Sequence, residues 1–253
     1  MTGSVVVAGL GPGSRELITP EVTAALDAAT DLVGYAPYVA RVTARDDVRR
    51  HASDNREEID RASFALRLAA EGRHVVIVSS GDPGVFAMAA ALFEAIEAGD
   101  PAWRDLDIRV LPGISAMFAA AARIGAPLGH DFCAINLSDN LKPWETVEKR
   151  LRAAAEADFV IALYNPISKA RPWQLGGAFE LLRTIHPVSV PVMFATAVSD
   201  PKERIDVVPL GEALPSRADM RTVVIIGSSQ TRSITRSDGG SYVYTPRSLR
   251  ASS

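Results

Sequence analysis

Residues 74–86 read His-Val-Val-Ile-Val-Ser-Ser-Gly-Asp-Pro-Gly-Val-Phe, and no other stretch limits the choice of fold as much. Four consecutive β-branched residues with no polar residue between them form a strand buried on both faces, because a strand with one wet face would alternate. Such a strand needs helices above and below it, which is the layering of an α/β sheet. The run stops at two serines and turns at Gly81-Asp82-Pro83-Gly84, after which residues 85–98 read as a helix. Ligands of open α/β sheets bind beyond the carboxyl ends of the strands, so the turn lies where chemistry is expected. Its glycines allow close backbone approach and its proline fixes one φ. A tight turn with no ligand accounts for the same residues, so the question becomes whether the arrangement recurs.

It recurs. Residues 4–8 form a predicted strand that ends in Gly9-Leu10-Gly11-Pro12-Gly13, and Thr19 then caps a helix with Pro20 at its first position, running to about residue 29. Residues 31–34 are a second short strand. The stretch 36–55 is polar and irregular and carries Arg41, Arg45, Arg49 and Arg50. A helix over 56–71 places Ile59, Ala62, Leu66 and Ala69 on one face and stops at Gly72. Strand 108–111 runs into Pro112-Gly113-Ile114-Ser115-Ala116 and an Ala-rich helix. After Gly125-Ala126-Pro127-Leu128-Gly129 the pattern restarts, with strands at 132–137, 159–164, 190–195, 206–209 and 222–226 and helices at 143–157 and 172–185. The expected organisation is an N-terminal α/β domain over 1–124, a hinge at 125–129, a C-terminal α/β domain over 130–232, and a polar tail over 233–253 that is mobile or forms a dimer arm.

Composition narrows the function classes. The chain has 253 residues, 47% hydrophobic and 23% charged, enough for two modest domains. A net charge of −3 gives no bulk attraction to nucleic acid or acidic lipid. No apolar run approaches the roughly 20 residues of a membrane span, and the apolar segment 5–10 is too short for a secretory signal. A cytoplasmic protein is expected. The single cysteine, Cys133, forms no internal disulfide, and the four histidines, His51, His74, His130 and His186, lack metal-ligand spacing, so no metal is expected.

Gly9-Leu10-Gly11-Pro12-Gly13-Ser14 superficially suggests a dinucleotide site. The third glycine of G-x-G-x-x-G would fall on Ser14, and the helix begins only near Pro20, too late to present its N-terminus to a pyrophosphate. The acid expected at the end of the second strand is also missing, since Leu32-Val33 runs into Gly34-Tyr35. The same absence argues against a Rossmann-type methyltransferase.

Taken in order, the turns instead resemble those of the tetrapyrrole methylases. The matching segments are Val7-Ala8-Gly9-Leu10-Gly11-Pro12-Gly13-Ser14, Gly81-Asp82-Pro83-Gly84, Pro112-Gly113-Ile114-Ser115-Ala116, Leu163-Tyr164-Asn165-Pro166 and Val223-Val224-Ile225-Ile226-Gly227. The resemblance spans roughly residues 4–230. It implies a two-domain α/β fold, each domain a mostly parallel or mixed sheet flanked by helices, with S-adenosylmethionine (SAM) in an interdomain cleft. Within the family, Val33-Gly34-Tyr35-Ala36-Pro37-Tyr38, Leu137-Ser138-Asp139-Asn140-Leu141-Lys142-Pro143-Trp144 and Tyr164-Asn165-Pro166-Ile167-Ser168-Lys169-Ala170-Arg171 are most similar to the branch that methylates carbon 17 of precorrin-3B in cobalamin biosynthesis and contracts the ring. A cobalt-containing acceptor, another ring carbon, or a non-catalytic tetrapyrrole carrier are the alternative readings.

Carried over by motif, SAM contacts would come from Pro12, Gly81, Asp82, Val85, Ser115, Ala116 and Asn165, mostly through backbone groups, with Thr196 to Val198 as a further segment. Asp82 and Asp139 are the candidates for moving a proton during ring contraction; for Asp82 the alternative is that its side chain shapes the turn and caps the next helix. A flat macrocycle fringed by carboxylates calls for apolar walls and scattered cations. Arg15, Tyr35, Ser138, Lys142 and Lys169 are the expected substrate-binding residues, with Arg41, Arg45 and Arg171 nearby in sequence. A homodimer is expected from the resemblance.

Overall fold

The computed structural model describes residues 3–43, 45–54 and 57–248. They divide into two units, Met1–Ala116 and Met117–Ser253.

The first unit carries an all-parallel sheet of five strands in the order β3-β2-β4-β1-β5. These are β1 (Ser4–Gly9), β2 (Asp31–Tyr35), β3 (Arg49–Ser53), β4 (His74–Ser79) and β5 (Asp107–Leu111). The connecting helices are α1 (Pro20–Ala28), α2 (Ala36–Arg41), α3 (Glu58–Ala70) and α4 (Met88–Ala98). The strand pattern sorts its side chains by parity. Val5, Val7, Val33, Val75 and Ile77 pack with α3 and α4, while Val6, Ala8, Leu32, Val76 and Val78 pack with α1 and Val39 of α2. Both faces of β4 are therefore dry, as its unbroken apolar run requires. Thr19 caps α1 as expected, its hydroxyl accepting the Val22 amide at 3.2 Å.

Two readings in this unit need correction. The stretch 36–55 is not irregular throughout: Ala36–Arg41 form α2, with a proline in its first turn, and Arg49–Ser53 form the edge strand β3. β3 has no apolar run (Arg-Arg-His-Ala-Ser) and exists because β2 pairs with it, which leaves no signature in its own residues. The helix after β4 begins at Met88, not Val85, because residues 82–87 form a turn in which Phe86 has φ 53° and the Ala89 amide donates to the Pro83 carbonyl.

Helix α5 (Ala116–Ile124) opens at the last residue of the first unit. The second unit contains β6 (Gly125–Ala126), β7 (Phe132–Asn136), α6 (Trp144–Glu156), β8 (Val160–Tyr164), α7 (Gln174–Arg183), β9 (Pro191–Thr196), β10 (Arg204–Pro209), β11 (Thr222–Ile226), β12 (Arg232–Thr235) and β13 (Ser241–Tyr244). Its main sheet runs β10-β9-β11-β8-β7 and is mixed: β7 and β8 are parallel, and the other three pairs are antiparallel. One face packs Ile135, Ile161, Leu163, Val192, Phe194, Val224 and Ile226 against α6 and α7, around Leu151, Leu175 and Phe179.

The segments read as hinge and tail meet in a third sheet. Residues 125–126 pair in parallel with β13, and β13 pairs antiparallel with β12. Val243 is fully buried, and the buried Thr245 hydroxyl donates to the Pro127 carbonyl at 2.6 Å while bonding the Thr231 hydroxyl at 2.9 Å. A polar composition concealed this because most residues of the hairpin face water and only Val243 is buried. Cys133 is half-buried, and burial raises its thiol pKa, keeping it protonated. Among the described residues no helix is long and apolar enough to cross a membrane.

Candidate functional site

In the first unit, β4, β1 and β5 are neighbours, so three Gly/Pro turns emerge side by side at one sheet edge. They are zipped together. Leu10 donates to the Ser79 carbonyl at 2.8 Å; Gly11 and Gly81 exchange amide-to-carbonyl bonds at 3.2 and 2.9 Å. Gly113 approaches so closely that a Cβ there would lie 2.2 Å from the Gly81 oxygen and 2.8 Å from the Gly9 oxygen. Gly11 and Gly81 both have φ of 64°, where side chains are strained.

Asp82 holds this junction. Its Oδ1 accepts the Gly84 amide at 2.8 Å and its Oδ2 accepts the Gly113 amide at 3.1 Å. It does not cap α4, whose first residue is Met88. The side chain shapes its own turn and fastens it to the turn after β5.

The space beside Gly81 has room for a methyl group. A Cβ added there would meet nothing nearer than 3.9 Å, and its neighbours at that distance are Ile114 O, Ser115 Cα and the Ala116 amide nitrogen. Gly81, Ser115 and Ala116 thus border one methyl-sized cradle whose nearest atoms are backbone. Pro12 and Val85 are half-buried in the adjoining turns. Tyr35, the last residue of β2, sits at the same edge and packs edge-on against Tyr38 at 5.2 Å. Arg15 is exposed and bonds Thr43.

Arg41 and Arg45 are not free for a ligand's carboxylates in the way their positions suggest. Arg41 donates to the Leu10 and Gly13 carbonyls at 3.3 and 3.1 Å. Arg45 is spent on Asp47 and on the Asp27 and Ala29 carbonyls.

In the second unit, the parallel strands β7 and β8 end together at Asn136 and Tyr164. Asn165 follows with φ 50° and donates through Nδ2 to Asn136 Oδ1 at 3.1 Å; the same oxygen accepts the Ser138 amide at 2.8 Å. Lys142 Nζ donates to the Ser138 carbonyl at 3.0 Å, and burial lowers its pKa. Asp139 Oδ2 accepts from the buried Gln174 amide at 3.1 Å. Tyr164 accepts the Met117 amide at its hydroxyl, 3.1 Å. Lys169 is exposed on the loop beyond, and Trp173, half-exposed, packs edge-on against Trp144 at 4.8 Å. β9 runs in the same direction as β8, so Thr196 and Ala197 share this edge.

The turn at Gly227 does not share it. β11 is antiparallel to β8, with Ile226 opposite Ile161, which places Gly227 at the other end of the sheet near Thr231 and Asp158. Four of the five family-like bends therefore stand at carboxyl edges of parallel strands, three in one unit and one in the other. Asn136 and Gln174 were missed in sequence. A polar residue closing a predicted strand marks Asn136; nothing local marks Gln174. Among the described residues no group of three His, Cys, Asp or Glu side chains is placed to hold a metal.

Residues 4–214 match the family profile of Tetrapyrrole (Corrin/Porphyrin) Methylases. The chain is 62% identical over 247 residues to a precorrin-3B C(17)-methyltransferase of Sinorhizobium sp, covering 98% of this chain and 97% of that protein. It is 49% identical over 251 residues to cobalamin biosynthesis protein CobIJ of Mycobacterium tuberculosis, where it spans 48% of the longer protein. Among solved structures, that of the methyltransferase CobJ superposes with a TM-score of 0.92 at 60% identity, covering 96% of this chain and 100% of CobJ.

Proposed function

This chain belongs to the tetrapyrrole (corrin/porphyrin) methylases, and from that membership we propose that it is the SAM-dependent enzyme that methylates carbon 17 of precorrin-3B and contracts the ring to precorrin-4 in cobalamin biosynthesis. The end-to-end likeness to the Sinorhizobium protein supports the choice of acceptor. The observation that carries the methyl-donor reading is the backbone-lined cradle at Gly81, Ser115 and Ala116.

When bound, SAM supplies an electrophilic methyl group on a sulfonium sulfur. The residues present fit such a group. Amides and carbonyls fixed by three interlocked turns can hold an adenosyl and an amino-acid moiety without ionisable side chains, and no acid is needed at a sulfonium leaving group. In this reading Pro12, Gly81, Asp82, Val85, Ser115 and Ala116 are the donor contacts of the first unit, and Asn165 is the donor contact assigned in the second. The chain's work in methylation is orientation and exclusion of water.

Ring contraction demands more, since a macrocycle hydroxyl must lose a proton. Asp82 has both oxygens engaged by backbone amides, whereas Asp139 gives only Oδ2, to Gln174. Asp139 is thus the better proton acceptor, and Asp82 acts as the clamp of the donor site. In this reading Arg15 and Tyr35 of the first unit and Ser138, Lys142 and Lys169 of the second are the substrate contacts. The active form in this reading is a metal-free, cytoplasmic homodimer.

Calorimetric titration with S-adenosylhomocysteine, followed by turnover of precorrin-3B with methyl-labelled SAM, tests the reading. Micromolar binding and a labelled, ring-contracted product are expected. Folded protein that binds no S-adenosylhomocysteine overturns it, and label transfer only to a cobalt-containing precorrin moves the acceptor.

A further inference from the structure

We infer that Arg41 is a positioning residue for the methyl donor: its guanidinium fixes the backbone of the loop over residues 10–13 and does not serve the carboxylates of the macrocycle. The inference rests on the reading of the turns after β1 and β4 as the donor site. Arg41 closes α2, the helix that follows β2, and its side chain reaches past the end of β4 to the turn after β1. One nitrogen, Nη2, donates to Leu10 O at 3.3 Å and Gly13 O at 3.1 Å; the other, Nη1, lies 3.5 Å from Ser80 Oγ.

These carbonyls flank Gly11 and Pro12. The loop between them is tied to the turn after β4 by the paired Gly11–Gly81 bonds and the Leu10 amide, and Gly11 at φ 64° would otherwise be free to leave that conformation. A planar fork with several fixed donors can span two carbonyls and a hydroxyl at once; an ammonium on a flexible stem cannot hold all three in the same geometry. Arg41 therefore gathers the turns after β1 and β4 from the β2 side, while Asp82 gathers the turns after β4 and β5 from the other. The two clamps together preorganise a site made of backbone, and preorganisation returns as donor affinity.

The experiment compares wild type with Arg41→Lys and Arg41→Gln, measuring the S-adenosylhomocysteine Kd by calorimetry, KM for SAM and for the tetrapyrrole separately, and the melting temperature. The expected result is a Kd and a KM for SAM raised about tenfold in Arg41→Gln and somewhat less in Arg41→Lys, with the tetrapyrrole KM within twofold of wild type. Amide exchange at Leu10, Gly11 and Gly13 of the intact protein is expected to quicken by a similar factor. A raised tetrapyrrole KM with unchanged S-adenosylhomocysteine Kd overturns the inference and returns Arg41 to the substrate. A lowered melting temperature with both KM values unchanged also overturns it. Wild type that binds no S-adenosylhomocysteine instead removes the donor-site reading beneath it. Should Arg41→Gln fail to fold, Arg41→Lys and the exchange measurement on Ser80→Ala decide, and unaltered exchange at Leu10, Gly11 and Gly13 in both is a refutation.

Discussion

Replacing Gly113 by alanine tests the interlocked turns most directly. Its φ is not in the left-handed region, so alanine meets no backbone penalty and the whole effect is steric. The new methyl would stand 2.2 Å from the Gly81 oxygen and 2.8 Å from the Gly9 oxygen. Ordinary contact begins near 3.4 Å, so the turns after β5 and β4 must separate by about 1.2 Å. Both obstacles are backbone atoms of a sheet edge and cannot rotate away. Overpacking of this kind costs about 1–3 kcal/mol. The separation also stretches the Gly113 amide bond to Asp82, a charge-assisted bond worth about 1.5 kcal/mol at a half-buried carboxylate. A loss of about 3 kcal/mol follows, which for a chain of this size lowers Tm by roughly 6–12 °C. The cradle beside Gly81 opens with the turns, so S-adenosylhomocysteine binding weakens at least about tenfold, or roughly 1.4 kcal/mol. Gly84→Ala is the milder comparison from the same turn, since its Cβ would meet only Asp82 Oδ1, at 3.2 Å, which needs to give by a few tenths of an ångström. Thermal melts and calorimetry on both variants suffice. A Gly113→Ala protein that melts within 2 °C of wild type and binds within twofold would refute the packing argument.

Other substitutions separate the remaining roles. Asp82→Asn leaves one acceptor where two backbone amides need two, so donor affinity should fall about tenfold with kcat at saturating SAM nearly kept; a collapse of kcat alone would mark Asp82 as the proton carrier. Asn165→Gly keeps the φ of 50° without strain and loses only the bond to Asn136, whereas Asn165→Ala loses both; alanine is expected to be the less stable by about 1 kcal/mol in chemical denaturation, and equal stability would contradict this. At the opposite sheet edge, burial by itself would raise the pKa of Asp31, but bonds from Arg73, His51 and Thr30 outweigh it and hold the group below 3.8. A depressed folded pKa gives stability that is complete above about 3.8 and lost as pH falls through the lower folded value. Asp31→Asn should therefore cost about 3 kcal/mol at neutral pH and flatten the acid limb of stability below about pH 4; melts across that range showing an unaltered acid limb would refute the assignment.

Much of this was readable along the chain because the signals are local. Unbroken β-branched runs mark strands covered on both faces, and β1, β2 and β4 lie where they were expected. Gly/Pro turns at strand ends mark the ligand edge of an α/β sheet, which placed Pro12, Gly81, Asp82 and Ser115 at one edge. Thr19-Pro20 is a complete helix start in two residues. Elements without a local signal were misread: β3 has no apolar run, the hairpin β12–β13 buries only Val243 within a polar composition, and the start of α4 is delayed by a turn whose Phe86 takes a φ no composition foretells.

Sequence alone determined where most strands, helices and Gly/Pro turns fall, because each rests on a residue's own backbone preference and on the periodicity of its neighbours; which strands pair was not among them. Tertiary structure alone decided what the polar groups do there. Asp82 spans two turns 31 residues apart, Arg41 binds carbonyls 28 and 31 residues away, and β11 runs against β8 so that its glycine turn leaves the edge where Asn165 stands. A hydrogen bond is fixed by distance and direction between partners, and strand polarity by the path of the whole chain, so neither is written in the residues that make them.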